Sequence, residues 1–263
     1  MTAPVPVSRD GLGGAGDGSG GGSELGAPSD HGPATGLTDT VDPGRDAAAK
    51  AARALRGSFA EPTEAELALR RLLIGNQRFL VGHPTHPRQG LERVTEVSSG
   101  QHPFAMCLGC ADSRVPQEIV FDEGIGDLFT MRVAGNLVDD SVLGSIEYAA
   151  EHLHVPLFLV LGHGSCGAVA ATVAAHRTGE IPEGYVGSLV EAIMPAVEPV
   201  LNALDPATPE DEVIRRCAIA NVEWVLGQTR SRSHVIAELE AEGKLALVGG
   251  YYDISTAEVS LVG

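Results

Sequence analysis

Seven consecutive apolar residues, Val155-Pro156-Leu157-Phe158-Leu159-Val160-Leu161, run without a polar interruption into Gly162-His163. A strand with one wet face alternates apolar and polar residues, so an unbroken run of this length belongs to a strand buried on both faces. Strands of that kind sit inside parallel sheets whose two faces are covered by crossover helices. The run is far too short to span a bilayer.

The flanking segments repeat the alternation. Residues 103–109 and 127–133 read as further strands, and 245–254 with 259–262 as a closing pair that suits a hairpin. Helical stretches fall between them, at 140–153, 167–177, 185–204 and 211–230. Ahead of the first strand, Pro62-Thr63-Glu64 opens a helix with proline and acidic residues in its first turn, as the helix macrodipole prefers. Gly82 and Pro84 stop it. An Ala-rich helix over 47–55 precedes it.

The expectation is an α/β fold, a mainly parallel β-sheet flanked by helices with an N-terminal helical arm, as one domain over residues 46–263. Residues 1–45 are dominated by Gly, Ser, Pro, Asp and Thr. That composition cannot bury enough apolar surface to offset chain entropy, so it predicts a disordered tail.

A net charge of −17 argues against nucleic acid and against anionic membranes as partners, since both need a basic footprint. It leaves a small anion possible at a local positive site. Residues 1–7 carry no basic stretch leading into an apolar one, so no secretory signal is read there and a cytoplasmic location is expected. In that compartment the four cysteines, Cys107, Cys110, Cys166 and Cys217, suit metal binding or catalysis better than disulfides.

The chemistry concentrates in two motifs about fifty residues apart, Cys110-Ala111-Asp112-Ser113-Arg114 and His163-Gly164-Ser165-Cys166-Gly167. Each follows a predicted strand, and ligands gather beyond the carboxyl ends of such strands. His163 and Cys166 flank a Gly-Ser turn that can present both to one ion. With Cys110 they make three N/S ligands, the number a catalytic zinc site uses while keeping its fourth position open. Asp112 can reach that fourth position or accept a hydrogen bond from its water, and Arg114 is placed to hold it in the second role through a bidentate pair.

Cys107 forms Cys-x-x-Cys with Cys110 and offers a competing closed Cys₃His site or a redox pair. Within a strand, however, the odd spacing points the two cysteines to opposite faces. Cys107 then reads as a buried small apolar residue, as does Cys217 in its helix. The remaining histidines lack metal spacing.

These residues, together with Arg132-Val133-Ala134-Gly135-Asn136 and Ser145-Ile146-Glu147-Tyr148-Ala149, give the chain a pattern that resembles the β-class carbonic anhydrases over about residues 65–262. The resemblance implies Zn²⁺ held by Cys110, His163 and Cys166, with Asp112 and Arg114 as a catalytic dyad. The implied reaction is reversible hydration of CO₂ to bicarbonate and a proton, by attack of zinc-bound hydroxide. It further implies a homodimer or dimer-built tetramer, with a CO₂ pocket lined across the dimer interface by Gln101, Phe129 and Tyr148, by Ala134, and by the backbone N–H of Gly167. Some relatives apply the same fold and zinc set to CS₂ or COS. Members with a regulatory bicarbonate pocket carry a Trp where this chain has Cys107, which argues against that pocket here.

Overall fold

The computed structural model describes residues 61–263. The expected tail over 1–45 and the Ala-rich helix over 47–55 lie outside them. The described chain runs α1 (Glu64–Leu80), α2 (Leu91–Glu96), β1 (Ala105–Cys110), α3 (Gln117–Val120), β2 (Leu128–Val133), a 3₁₀ turn (Ala134–Asn136) and α4 (Asp140–His152). It continues through β3 (Leu157–His163), α5 (Gly167–Thr178), α6 (Tyr185–Ala203), α7 (Glu210–Arg232), α8 (His234–Ala241), β4 (Ala246–Tyr252) and β5 (Val259–Val262).

The strands form one sheet in the order β2-β1-β3-β4-β5. Every neighbouring pair is parallel except β4–β5, which closes the sheet as an antiparallel hairpin. β1 and β3 are buried along their whole length, as the unbroken apolar run requires. Strand parity divides the core. Met106, Leu108, Phe158 and Val160 face α4, α7 and α8 through Ile146, Val222, Val225 and Ile236. Ala105, Cys107, Leu157, Leu159 and Leu161 pack on the other face with Ala68 and Leu72 of α1, Val120 of α3 and Phe121. Each fully buried Leu or Phe in these layers contributes roughly 1.5–3 kcal/mol relative to exposure.

Helix α1 begins where the sequence places it. Thr63 caps Glu66 N–H through its hydroxyl, and the Glu66 carboxylate accepts the Thr63 N–H in return, a capping box that satisfies two orphan donors. The α1 helix lies on the sheet through Ala68 and Leu72. Three short helices were not read from the sequence. α2 has no buried residue, α3 spans a single turn, and α8 follows α7 after Ser233 alone. None is long enough to establish a helical period. Among the described residues no helix is long and apolar enough to cross a membrane.

Candidate active site

The carboxyl ends of β1 and β3 set the site. Cys110 is the last residue of β1, paired in register with Val133, and His163 is the last of β3, paired with Tyr252. The chain leaves β3 through Gly164 and Ser165. A Cβ on Gly164 would lie 2.9 Å from the Tyr251 hydroxyl, so the turn has no room for a larger residue. Ser165 adopts φ 52°, a left-handed conformation costing of order 1–3 kcal/mol in a residue other than glycine. The strained turn delivers Cys166 to the start of α5.

The ligand atoms of Cys110, His163 and Cys166 lie within 4.8 Å of one another, and all three residues are buried. His163 Nδ1–H donates to the Gly164 carbonyl at 2.8 Å. That bond selects the tautomer and leaves the Nε2 lone pair, which has no hydrogen-bond partner although it is buried, directed to the two sulfurs. The neighbouring Cys166 draws the Cys110 thiol below its ordinary pKa, while Cys110 and burial push that of Cys166 up. Two such sulfurs and an unpartnered imidazole nitrogen fit a soft or borderline divalent cation, which would use the orphaned lone pair.

Asp112 stands beside this trio and is held elsewhere. Arg114 donates to it through Nε at 2.9 Å and Nη2 at 2.7 Å, and its backbone N–H adds 2.9 Å to the same Oδ1. These hydrogen bonds hold the Asp112 carboxyl well below the usual carboxylate range. Arg114 Nη2 also reaches the Ser165 carbonyl at 3.3 Å, tying the first motif to the second.

Three further residues support the trio, and no role for them was read from the sequence. Arg132 bridges the turn after Cys110, donating to the Cys110 carbonyl at 3.1 Å and to the Asp112 carbonyl at 2.6 Å. Gly135 N–H donates to Cys110 Sγ at 3.3 Å. Asn221 of α7 donates to the Gly135 carbonyl at 2.8 Å. The legible sign was Asn221 itself, a polar residue on the apolar stripe formed by Cys217, Ala218, Val222 and Val225.

Cys107 stands outside the trio, in the core layer on the opposite sheet face, and burial pushes its thiol far up. Cys217 of α7 packs with residues of α5 and α6, its thiol raised to about 11 by burial. Ala134 and Gly167 directly follow Val133 and Cys166 at the site. Gln101, Phe129 and Tyr148 do not join it within one chain. Phe129 pairs with Met106, four residues below the Cys110–Val133 pair and so roughly 13 Å down the strand. Its ring lies 6.3 Å from that of Tyr148, which is half exposed. Gln101 is exposed just ahead of β1.

The carbonic anhydrase family profile matches residues 105–259, from the start of β1 to the start of β5. Carbonic anhydrase 2 of Mycobacterium tuberculosis is 44% identical over 187 residues, covering 71% of this chain and 87% of the relative. The carbonic anhydrase of Mycolicibacterium smegmatis is likewise 44% identical, covering 71% and 88%. Among solved structures, a tetrameric β-carbonic anhydrase of Sordaria macrospora superposes with TM-score 0.60 at 27% identity, covering 75% of this chain and 98% of that one. The profile spans more than half of the chain and the mycobacterial relatives are matched over most of their length, so this chain belongs to the carbonic anhydrase family, in its β class.

Proposed function

We propose that Cys110, His163 and Cys166 hold a catalytic zinc ion with which this chain carries out its family's reaction, the reversible hydration of carbon dioxide to bicarbonate and a proton. The observation that carries the zinc assignment is the orphaned Nε2 of buried His163 facing two thiols, next to a carboxylate locked by arginine. Zinc in such a site supplies the Lewis acidity that makes a water nucleophilic near neutral pH.

The protein's part is orientation. Asp112 Oδ1 already accepts two N–H bonds from Arg114, whereas Oδ2 accepts one. Oδ2 therefore keeps a lone pair to accept a hydrogen bond from the reacting water and to turn its oxygen toward the CO₂ carbon. Arg114 prevents the carboxylate from swinging onto the metal, where it would block the fourth position. Ala134 and the Gly167 N–H form the near wall for the substrate in this reading, and Gln101, Phe129 and Tyr148 reach the pocket from a second protomer. The exposed Tyr148 and the distance of Phe129 from its own Cys110 support that division, as does the tetrameric Sordaria relative, and a homodimer or dimer-built tetramer follows.

In this reading the catalytic domain is residues 46–263 and the Gly-rich 1–45 segment contributes nothing to turnover. Four free thiols fit a reducing, cytoplasmic setting. The position three residues before Cys110 is Cys107, and on the same sheet face the Gln117 side chain fills the space over Gly109, where a Cβ would lie 1.9 Å from its Nε2. Both favour simple product inhibition by bicarbonate over cooperative inhibition. Metal analysis of purified protein tests the zinc assignment: stoichiometric zinc in the wild type and its loss in Cys110→Ser, His163→Ala and Cys166→Ser are expected, and zinc retained in all three variants contradicts the site.

A further inference from the structure

Asn221 is 1% exposed on a helix face otherwise made of Cys217, Ala218, Val222 and Val225. Burying an amide in such company is unfavourable unless its hydrogen bonds are made. Here Oδ1 has no partner, and the bond from Nδ2 to the Gly135 carbonyl is the one that answers for the residue. Gly135 is equally constrained. Its φ is 74°, and a Cβ would lie 2.5 Å from Ile193 Cδ1 and 3.0 Å from Ala168 Cβ. The backbone at this point is thus pinned on one side by packing and on the other by Asn221, and its N–H lies 3.3 Å from Cys110 Sγ.

We propose that Asn221 is a positioning residue for the metal centre: by fixing the Gly135 carbonyl it aims the Gly135 N–H at the Cys110 sulfur. An N–H bond to a thiolate withdraws electron density from the sulfur. A site with two thiolate ligands gives the metal much of their charge and so dulls its acidity. Relieving one sulfur of part of that charge restores some of it. The inference rests on the zinc reading above. Partners of ligands at this remove typically affect metal affinity or activity by about 10–100-fold.

The test compares full-length wild type with Asn221→Leu, which keeps the volume, and Asn221→Ala, each loaded with zinc or with cobalt(II). Both variants are expected to retain stoichiometric metal. The thiolate-to-cobalt charge-transfer band should move to longer wavelength, and kcat should fall about 10–100-fold with KM little changed. A purely structural role lowers Tm but leaves the band where it is, so a folded variant with the wild-type band overturns the proposal. Should neither variant fold, the cadmium-substituted wild type decides. A through-bond coupling between the Gly135 amide proton and cadmium supports the geometry, and its absence overturns it. If wild-type zinc protein fails to hydrate CO₂, the activity reading fails, while the band still judges Asn221.

Discussion

Arg114 grips Asp112 through two parallel bonds, Nε to Oδ1 at 2.9 Å and Nη2 to Oδ2 at 2.7 Å. Its effect on the carboxyl is to lower the pKa, yet ionisation is not what the pairing secures. Released to an ordinary value of about 3.9, Asp112 would still be a carboxylate at neutral pH. The pair therefore acts through geometry. Arg114→Ala is expected to keep its zinc and lose most turnover, because the freed carboxylate caps the metal. Asp112→Ala should also keep zinc and lose about 10²–10⁴-fold in kcat. Activity of the wild type should rise with pH as water is deprotonated. Turnover by zinc-loaded Arg114→Ala near the wild-type rate would remove the dyad from the mechanism.

Cys107 provides the matching negative control. It lies in the core layer with Leu159 and Leu161, on the face away from Cys110. Cys107→Ser should retain stoichiometric zinc and nearly full turnover, with a stability loss of about 1–3 kcal/mol for a buried hydroxyl lacking a partner. Bicarbonate inhibition of the wild type should be hyperbolic. Metal analysis finding zinc gone in Cys107→Ser would point instead to a closed Cys₃His site.

Gly135 offers a third test. An alanine there must hold φ near 74° and fit a Cβ 2.5 Å from Ile193 Cδ1. Gly135→Ala is expected to lower stability by roughly 1–3 kcal/mol and to change metal affinity by displacing the turn that aims the N–H at Cys110 Sγ. Thermal unfolding and chelator competition measure the two effects, and wild-type values in both would show the turn to be tolerant.

Acid stability follows from Asp122, which is 2% exposed. Burial opposes its ionised form. The N–H of Thr85, the guanidinium of Arg78, the N–H of His86 and the Thr85 hydroxyl outweigh burial and draw the pKa down to about 2. The folded value lies below the unfolded value of about 3.9. The contribution is therefore fully present above that unfolded value and is lost as pH falls through about 2. Asp122→Asn should unfold more easily at neutral pH, by about 1.5–3 kcal/mol, and show a flatter dependence between the two pKa values. Denaturant unfolding at several pH values checks this, and an unchanged acid limb in the variant would assign it to other groups.

Asp122 also marks where the sequence becomes hard to read. The strands, the longer helices and the meeting of Cys110, His163 and Cys166 were legible because each depends on local pattern: an unbroken apolar run, a turn after a strand, odd spacing along β1. The loop between α1 and β1 was legible only as a polar stretch. It meets the segment between α3 and β2, and that junction depends on ion pairs that join residues 35 to 56 positions apart. Arg71 and Arg88 both bind Glu123 and Asp127, and Arg78 binds Asp122. No periodicity signals such pairings. Asn221 and Gly135 meet across 86 residues for the same reason. The proposed substrate wall was nameable only through family resemblance, since Phe129 on β2 and Tyr148 of α4 beside it lie far from their own Cys110.

Stopped-flow CO₂ hydration on the purified full-length protein, measured across a titration of zinc into the metal-free form, tests the central claim most directly. Activity should rise in proportion to bound zinc, saturate at one ion per Cys110–His163–Cys166 site and be absent from Cys110→Ser. Hydration that is indifferent to zinc, or a fully zinc-loaded protein that leaves CO₂ at its uncatalysed rate, would contradict it.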